Sequence, residues 1–139
     1  MLQQPELSAI ASSRFPEIFP GLLLYALDDF KDVIFMTLAS PHEKLKILIS
    51  TRETRLTVGF YASPSQFYWH EHIPADQPID DQIKKACDII NDIISGRTGI
   101  VYSSHPLLGF MPAAFEDLES FKKHQQPDEV IEFHHWQDL

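Results

Sequence analysis

The sequence predicts an α+β fold: a mainly antiparallel meander sheet, one long amphipathic helix packed on one face of it, and short terminal helices. Three stretches of the chain lead to this prediction. Residues 45–61 fit two strands joined by a tight turn, and residues 67–73 fit a third strand rich in aromatic residues. Residues 79–96 repeat apolar side chains at three- and four-residue steps, which is the pattern of an amphipathic helix. The short links between the strands favour antiparallel pairing.

The length and composition of the chain indicate a single α+β domain over residues 1–139 with a core of its own. Of the 139 residues, 44% are hydrophobic and 12% are aromatic, which is typical of a globular chain. The first residues, MLQQPEL, lack the segments of a signal peptide, and charged residues interrupt the longest apolar run. The single cysteine, Cys87, has no partner for an intrachain disulfide. We therefore expect a cytoplasmic protein that does not insert into membranes.

The acidic charge of the chain limits the partners that it can bind. Eleven Lys and Arg residues stand against 20 Asp and Glu residues, which gives a formal net charge of -9. Binding to a phosphate backbone needs a basic stripe, so we expect no nucleic acid partner. The charge would steer association with a basic protein, although ordinary solubility is the commoner reason for such a charge.

The first half of the chain holds one short helix and several strands in this prediction. Residues 5–13 fit a short helix, and residues 16–21, with two prolines and a glycine, fit a turn region. Residues 22–39 fit either two buried strands joined by the turn DDFK or pieces of one helix. Their β-branched and aromatic residues favour the two strands. Residues 45–50 then form a strand, and residues 52–54 turn the chain.

The strand over residues 67–73 should present two different faces, because alternate side chains of a strand point the same way. The apolar face is expected to meet the helix and contains Phe67, Trp69 and Ile73. The opposite face is expected to point away from the helix and contains Tyr68, His70 and His72.

The second half of the chain is predicted to continue as helix and strands. Asp80 and Asp81 suit the first turn of the long helix, where the helix dipole favours acidic side chains. Gly96 suits a left-handed cap at its end. Beyond the helix we expect a strand, its hairpin partner, a short helix and a closing strand over residues 99–104, 107–111, 115–121 and 130–134.

Two histidines of the third strand suggest a metal site as one interpretation. His70 and His72 are two residues apart, so both imidazoles can reach the same ion. Further ligands would have to come from Glu71, His134 or His135, and Glu71 points to the other face of the strand. We therefore expect no metal and no other cofactor. A small metal-dependent hydrolase or ligand-binding enzyme that uses His70 and His72 stays as the alternative function.

No pattern in the chain predicts nucleophilic catalysis, and we expect no catalytic residues. Cys87 lies in the apolar stripe of the helix, where burial would raise the pKa of its thiol. Ser103 and His105 are close in sequence, but the G-x-S-x-G turn of a hydrolase nucleophile is missing. The segment SGRTG, residues 95–99, follows a helix instead of opening one, so it fits a cap and turn rather than a phosphate loop.

A contact surface for a partner protein is the remaining interpretation. Acidic residues cluster where helices are expected to begin, and the helix dipole is sufficient to explain them there. Their position beside an aromatic and histidine-rich strand face also suits recognition of a basic protein. The predicted contact residues are Tyr68, His70, His72, Asp76, Glu116, Asp117 and Glu119.

Part of the chain resembles a known family. The segments TVGF, FYWHEHI, IKKACDIINDIISGR and IVY, within residues 56–102, are similar to a pattern of small immunity proteins from bacterial polymorphic-toxin systems, whose toxins act by contact-dependent delivery or as secretion-system effectors. In that pattern a tVxF strand leads to an aromatic strand with histidine, and a helix ending in I-x-x-G leads to another strand. The resemblance implies a cytoplasmic, non-enzymatic protein that binds a cognate toxin, often encoded by the adjacent gene, and occludes its active surface. A third possibility is an adaptor that adds a peptide strand to a sheet edge.

Overall fold

The chain folds into helices and antiparallel strands, which confirms the α+β prediction. The computed structural model describes residues 2–26, 31–63, 66–105 and 108–139. The helices of this part are α1 (Gln4–Ile18), α2 (Ile79–Ile94) and α3 (Leu118–Lys123). Its strands are β1 (Leu23–Ala26), β2 (Ile34–Ala39), β3 (Lys46–Ser50), β4 (Thr57–Ser63), β5 (Gln66–His72), β6 (Gly99–Ser103), β7 (Gly109–Ala113) and β8 (Ile131–His134). Short 3-10 turns cover Arg52–Thr54, Phe115–Asp117 and Trp136–Asp138.

The strands form two antiparallel sheets, whereas the sequence predicted one. Strands β1 to β5 make a five-stranded meander in chain order, and β6 lies between β7 and β8 in a three-stranded sheet. Strand β5 lies beside β7, but no hydrogen-bonded ladder joins them within the described ranges. The pairing of β5 with β4 contains register shifts, which mark a β-bulge. A bulge turns an edge strand away from further pairing.

The ambiguous stretch over residues 22–39 contains two strands, as the sequence favoured. Strands β1 and β2 pair antiparallel, while residues 28–30 of the predicted turn DDFK lie outside the described residues. Strand β1 is an edge of the first sheet, and no described strand pairs with its outer side. Its side chains are apolar and exposed: Leu23 by 59%, Leu24 by 48% and Tyr25 by 45%.

Helix α1 is longer than the predicted short helix. It has 15 residues against 16 in α2, so the expectation of one long helix with only short terminal helices is wrong at this end of the chain. The helix continues through Pro16. A proline near a helix end removes only one hydrogen bond, and the fully buried Phe15 holds the last turns against the core. The end of α2 agrees with the prediction, since Gly96 follows it with φ of 82°.

The core lies between the first sheet and the two long helices and extends to the second sheet. Its sheet residues include Met36, Ile47, Ile49, Val58 and Phe60. Its helix residues include Leu7, Ala11, Phe15, Ile83, Ile90 and Ile93, and Ile100, Trp136 and Leu139 join them. Side chains alternate along each strand, so the residues between these core positions point to the opposite face of the first sheet.

Candidate functional site

A groove lies on the face of the first sheet opposite to the core. The pairing of β2, β3, β4 and β5 aligns two rows of side chains on this face. One row consists of Phe35, Ser50, Thr57 and His72. The next row consists of Thr37, Leu48, Gly59 and His70. The two histidines that share a face in the sequence prediction therefore do stand side by side.

The groove has a volume of about 340 Å³ and combines apolar and basic linings. The apolar lining includes Phe35 and Leu48, and Phe60 and Trp69 border the groove from β4 and β5 while their rings pack on the core side. The basic lining includes Arg52, Arg55, His70 and His72. Gly59 lies between them, and a Cβ there would be 2.8 Å from the backbone oxygen of Trp69 and 3.1 Å from the Cβ of His70. Only glycine allows β4 and β5 to approach this closely at the groove.

A strained turn between β3 and β4 positions the two arginines. Glu53 has φ of 62° and ψ of 29°, and Thr54 has φ of 57°. This left-handed backbone is unfavourable for residues other than glycine, and most of all for a β-branched residue such as threonine. The two strained residues reverse the chain between Arg52 and Arg55, so both arginines line the groove from one short loop.

Gln4 of α1 holds the strained turn in place. Its Oε1 accepts hydrogen bonds from the backbone N–H of Thr54 at 2.8 Å and from the Thr54 hydroxyl at 3.1 Å. Its Nε2 donates to the backbone oxygens of Thr51 at 2.7 Å and Asp32 at 3.2 Å. The fully buried Thr51 is also bonded to Ser8 of α1, with 2.7 Å between the hydroxyl oxygens. These bonds offset the backbone strain and connect α1 to the groove.

His72 is fixed by neighbours on both sides of its ring. Its Nδ1 lies 2.8 Å from the Thr57 hydroxyl oxygen, and its Nε2 lies 3.2 Å from Nη2 of Arg55. A guanidinium can only donate, so Nε2 of His72 accepts and Nδ1–H donates to Thr57. Nη2 of Arg55 also lies 2.9 Å from Oε2 of Glu53. The His70 ring is next to that of His72, with 4.9 Å between the centroids.

This arrangement disfavours a metal ion at His72. Both ring nitrogens of His72 are already engaged, and the Arg55 guanidinium beside it would repel a cation. Within the described ranges, no three His, Cys, Asp or Glu side chains are grouped so that they could hold a metal. The donors of the groove instead suit an anion.

The His72 contacts make the stability of the protein depend on pH. Loss of hydration, the Arg55 guanidinium and His70 lower the pKa of His72, and Glu53 opposes them. The unfolded chain, with an ordinary histidine pKa of about 6.5, therefore binds this proton more readily than the native protein. The contribution of neutral His72 should be complete above about pH 7 and should decrease as the pH falls from about 6.5 towards the lower native pKa.

Urea unfolding at a series of pH values from about 5 to 7.5 measures this effect. The His72→Gln variant should lose part of the decrease in the free energy of unfolding at acidic pH. His42→Gln removes another exposed histidine and should retain the full decrease. Identical pH profiles for the native protein and both variants would contradict the assignment.

A bulge in β5 breaks the predicted alternation of its side chains. Between the paired positions on either side, one residue of β4, Phe60, is opposed by two residues of β5, Tyr68 and Trp69. Because of this extra residue, the side chains before the bulge do not continue the two-residue alternation of those after it. The Trp69 ring contacts the buried Phe60, with 5.2 Å between centroids, and packs against the core.

Tyr68 is consequently not a groove residue, although the sequence placed it on one face with His70 and His72. Its ring packs against Phe110 of β7, with 5.4 Å between centroids at an interplanar angle of 69°. Loss of hydration, followed by the effect of Tyr102, raises the pKa of the Tyr68 phenol. Tyr68 therefore joins the two sheets in this structure.

The predicted acidic contact residues lie apart from the groove lining. Asp76 is exposed in the loop before α2, and Glu116, Asp117 and Glu119 are exposed around the start of α3. Asp117 Oδ2 accepts the backbone N–H of Ala114 at 3.3 Å, as expected at the beginning of a helix. None of these four carboxylates forms an ion pair with a residue in the described part of the chain.

The other groups considered for chemistry have structural roles. Cys87 is buried, and loss of hydration raises the pKa of its thiol, as predicted. The Ser103 hydroxyl donates to the Glu129 carboxylate, and this bond lowers the pKa of Glu129. His105 donates its backbone N–H to the Ser103 oxygen at 3.1 Å. Residues 95–98 form the turn that ends α2, in agreement with the sequence, and Gly99 already begins β6.

Sequence reasoning missed both arginines of the groove. Arg52 and Arg55 were visible only as ends of the segment RETR between two strands. A hairpin loop with two like charges is a weak signal for a binding site. Their common position depends on the left-handed backbone of Glu53 and Thr54. Glycine or asparagine at these positions would have indicated such a turn in the sequence, but glutamate and threonine do not.

Comparison with known proteins does not assign the chain to a family. No family model, curated protein or solved structure matches it. None of the described helices combines the length and the apolar character needed to span a bilayer. The function therefore has to be argued from the geometry of the chain itself.

Proposed function

We propose that this protein is a non-catalytic, immunity-type inhibitor that binds a cognate toxin domain and occludes its active surface. The observation that carries the proposal is the set of uncompensated carboxylates. Asp76, Glu116, Asp117 and Glu119 are exposed and have no ion-pair partner among the described residues, in a chain with a formal net charge of -9. Such a surface favours a basic partner protein and accelerates its association.

The state of the reactive side chains also favours binding over catalysis. Cys87 and Ser103 are both buried, so neither the thiol nor the hydroxyl is open to a substrate. Nucleophilic catalysis needs an accessible nucleophile within reach of a base. His72 is engaged at both ring nitrogens, so it is poorly placed to accept a proton from a substrate. These contacts support a protein that acts by occupying a surface.

A charge reversal at α3 tests the acidic contact surface. Glu119→Lys should weaken binding to the toxin about five-fold and reduce its dependence on salt, because one favourable long-range interaction becomes repulsive. Glu17→Lys makes the same change at an exposed position of α1 and should leave the affinity nearly unchanged. Affinity is measured by calorimetry with the toxin domain encoded by the adjacent gene.

The proposal as a whole is tested with the unmodified proteins. Mixing the chain with that toxin domain should give a complex in size-exclusion chromatography, and co-expression should restore growth of cells that carry the toxin. Absence of both the complex and the rescue would reject the immunity function. Equal losses of affinity for Glu119→Lys and Glu17→Lys would reject the α3 surface while leaving the function in place.

A further inference from the structure

The groove has a composition that an acidic contact surface does not explain. Its polar lining is basic, with Arg55 and the His70–His72 pair on one side and Arg52 on the same loop. Its apolar lining, which includes Phe35 and Leu48, lies next to these groups. A cavity of about 340 Å³ is within the range of small-molecule sites, which combine apolar walls with a few polar groups.

Arg55 keeps hydrogen-bonding capacity that the folded chain does not use. Glu53 and His72 both contact the same nitrogen, Nη2. Nε of Arg55 is buried and has no hydrogen-bond partner in the described part of the chain. Leaving a buried donor without a partner destabilises the folded chain, so such a group often marks a binding site. An arginine whose side chain is 37% exposed beside a groove can donate to a second anionic partner.

The internal partner of Arg55 indicates which anion fits. Glu53 already presents a carboxylate at 2.9 Å, and its side chain is 62% exposed on the strained turn. An exposed ion pair of this kind contributes little to stability, so the Glu53 carboxylate can turn into solvent when another one arrives. The planar guanidinium matches a carboxylate in geometry, and the nearby imidazoles can add further hydrogen bonds.

We propose that the groove binds a small organic carboxylate with an apolar body. The carboxylate lies between Arg55 and the His70–His72 pair, and the apolar body covers Phe35 and Leu48. The inference does not depend on the toxin partner, since the acidic residues around α3 are not part of the groove lining. An isolated acidic side chain of a protein would leave the apolar lining unfilled, and a cation would meet the arginines.

Phenylacetate is a suitable probe, because it joins one carboxylate to one aromatic ring. Binding is followed by tryptophan fluorescence, since Trp69 precedes His70 at the border of the groove while Trp136 is buried in the core. Phenylacetate should give saturable binding at millimolar concentration or below. Phenylacetamide, which lacks the charge, and acetate, which lacks the ring, should each bind at least ten-fold more weakly, or about 1.4 kcal/mol.

Variants of the groove sharpen the test. Arg55→Gln should reduce the affinity for phenylacetate at least ten-fold, and Glu53→Gln should increase it several-fold by removing the competing carboxylate. Arg97→Gln removes an arginine that pairs with Asp92 at 2.8 Å on α2 and should bind as the native protein does. Circular dichroism verifies that each variant is folded. If Arg55→Gln does not fold, the affinity of Glu53→Gln for phenylacetate tests the proposal in its place.

Four results would overturn the proposal. These are the absence of saturable binding, equal affinity for phenylacetate and phenylacetamide, equal affinity for acetate, and affinities unaffected by both groove variants. Equal affinity for acetate would mean that the apolar lining is unused and that the groove recognises an isolated carboxylate, such as a protein side chain. Each of these results leaves the binding of the toxin domain unaffected, so the two proposals fail separately.

Discussion

Replacing Gly109 by alanine should lower the free energy of unfolding by about 2–4 kcal/mol. Gly109 begins β7 with φ of 64°, a conformation that disfavours any residue with a Cβ. A Cβ at this position would lie 1.9 Å from Cδ1 and 2.2 Å from Cε1 of Tyr68. The ring cannot move aside freely, because it packs against Phe110. Backbone strain and steric overlap therefore act together at the junction of the two sheets.

Urea denaturation of the native protein and the variant measures this loss. Gly21→Ala is the matched control: among the described residues its Cβ would meet only the end of the Leu38 side chain, at 3.1 Å, and its φ is not positive. A double-mutant cycle separates the two causes. In a Tyr68→Ala background the cost of Gly109→Ala should decrease to about 1–2 kcal/mol, the backbone term alone. Strictly additive effects would show that Tyr68 does not pack on β7.

Replacing Gln4 by alanine should lower the free energy of unfolding by about 2–3 kcal/mol. The variant loses both acceptor bonds to Thr54 and both donor bonds to the backbone of Thr51 and Asp32. The backbone N–H of Thr54 then lacks its partner, at a residue whose left-handed conformation already costs energy. The loop that carries Arg52 and Arg55 should become mobile, so the groove should lose affinity for phenylacetate as well.

Two measurements identify this effect. Urea denaturation gives the change in stability, and hydrogen exchange at the Thr54 amide reports the loop directly, since it should become faster than exchange in the core strands. Gln77→Ala is the control, because the Gln77 side chain is exposed and forms no hydrogen bond to the described residues. Unchanged exchange at Thr54 in a folded Gln4→Ala variant would contradict the clamp.

The elements that the sequence predicted well are those whose burial repeats locally. The period of two in β4 and the period of about 3.6 in α2 both follow from the apolar face that each element buries. Helix α1 was predicted too short, because its passage through Pro16 depends on Phe15 reaching the core. The division into two sheets was missed, since β6 pairs with β8, about thirty residues further along the chain.

The candidate site was predictable only where no irregularity intervenes. His70 and His72 share a face because no bulge lies between them, whereas the bulge at Tyr68 and Trp69 separates Tyr68 from that face. Bulges depend on the partner strand, so one strand alone does not reveal them. The contribution of Arg55 depends on a turn held by Gln4 from fifty residues away, which no local pattern contains.

The exposed edge strand β1 has a consequence for the behaviour of the protein at high concentration. Its Leu23, Leu24 and Tyr25 carry no charge, and an uncharged apolar edge offers a template for strands of other molecules. At low ionic strength the formal net charge of -9 keeps molecules apart. Added salt screens that repulsion over distances of about 10 Å and leaves the apolar attraction intact. Colloidal stability should therefore be greatest in dilute buffer.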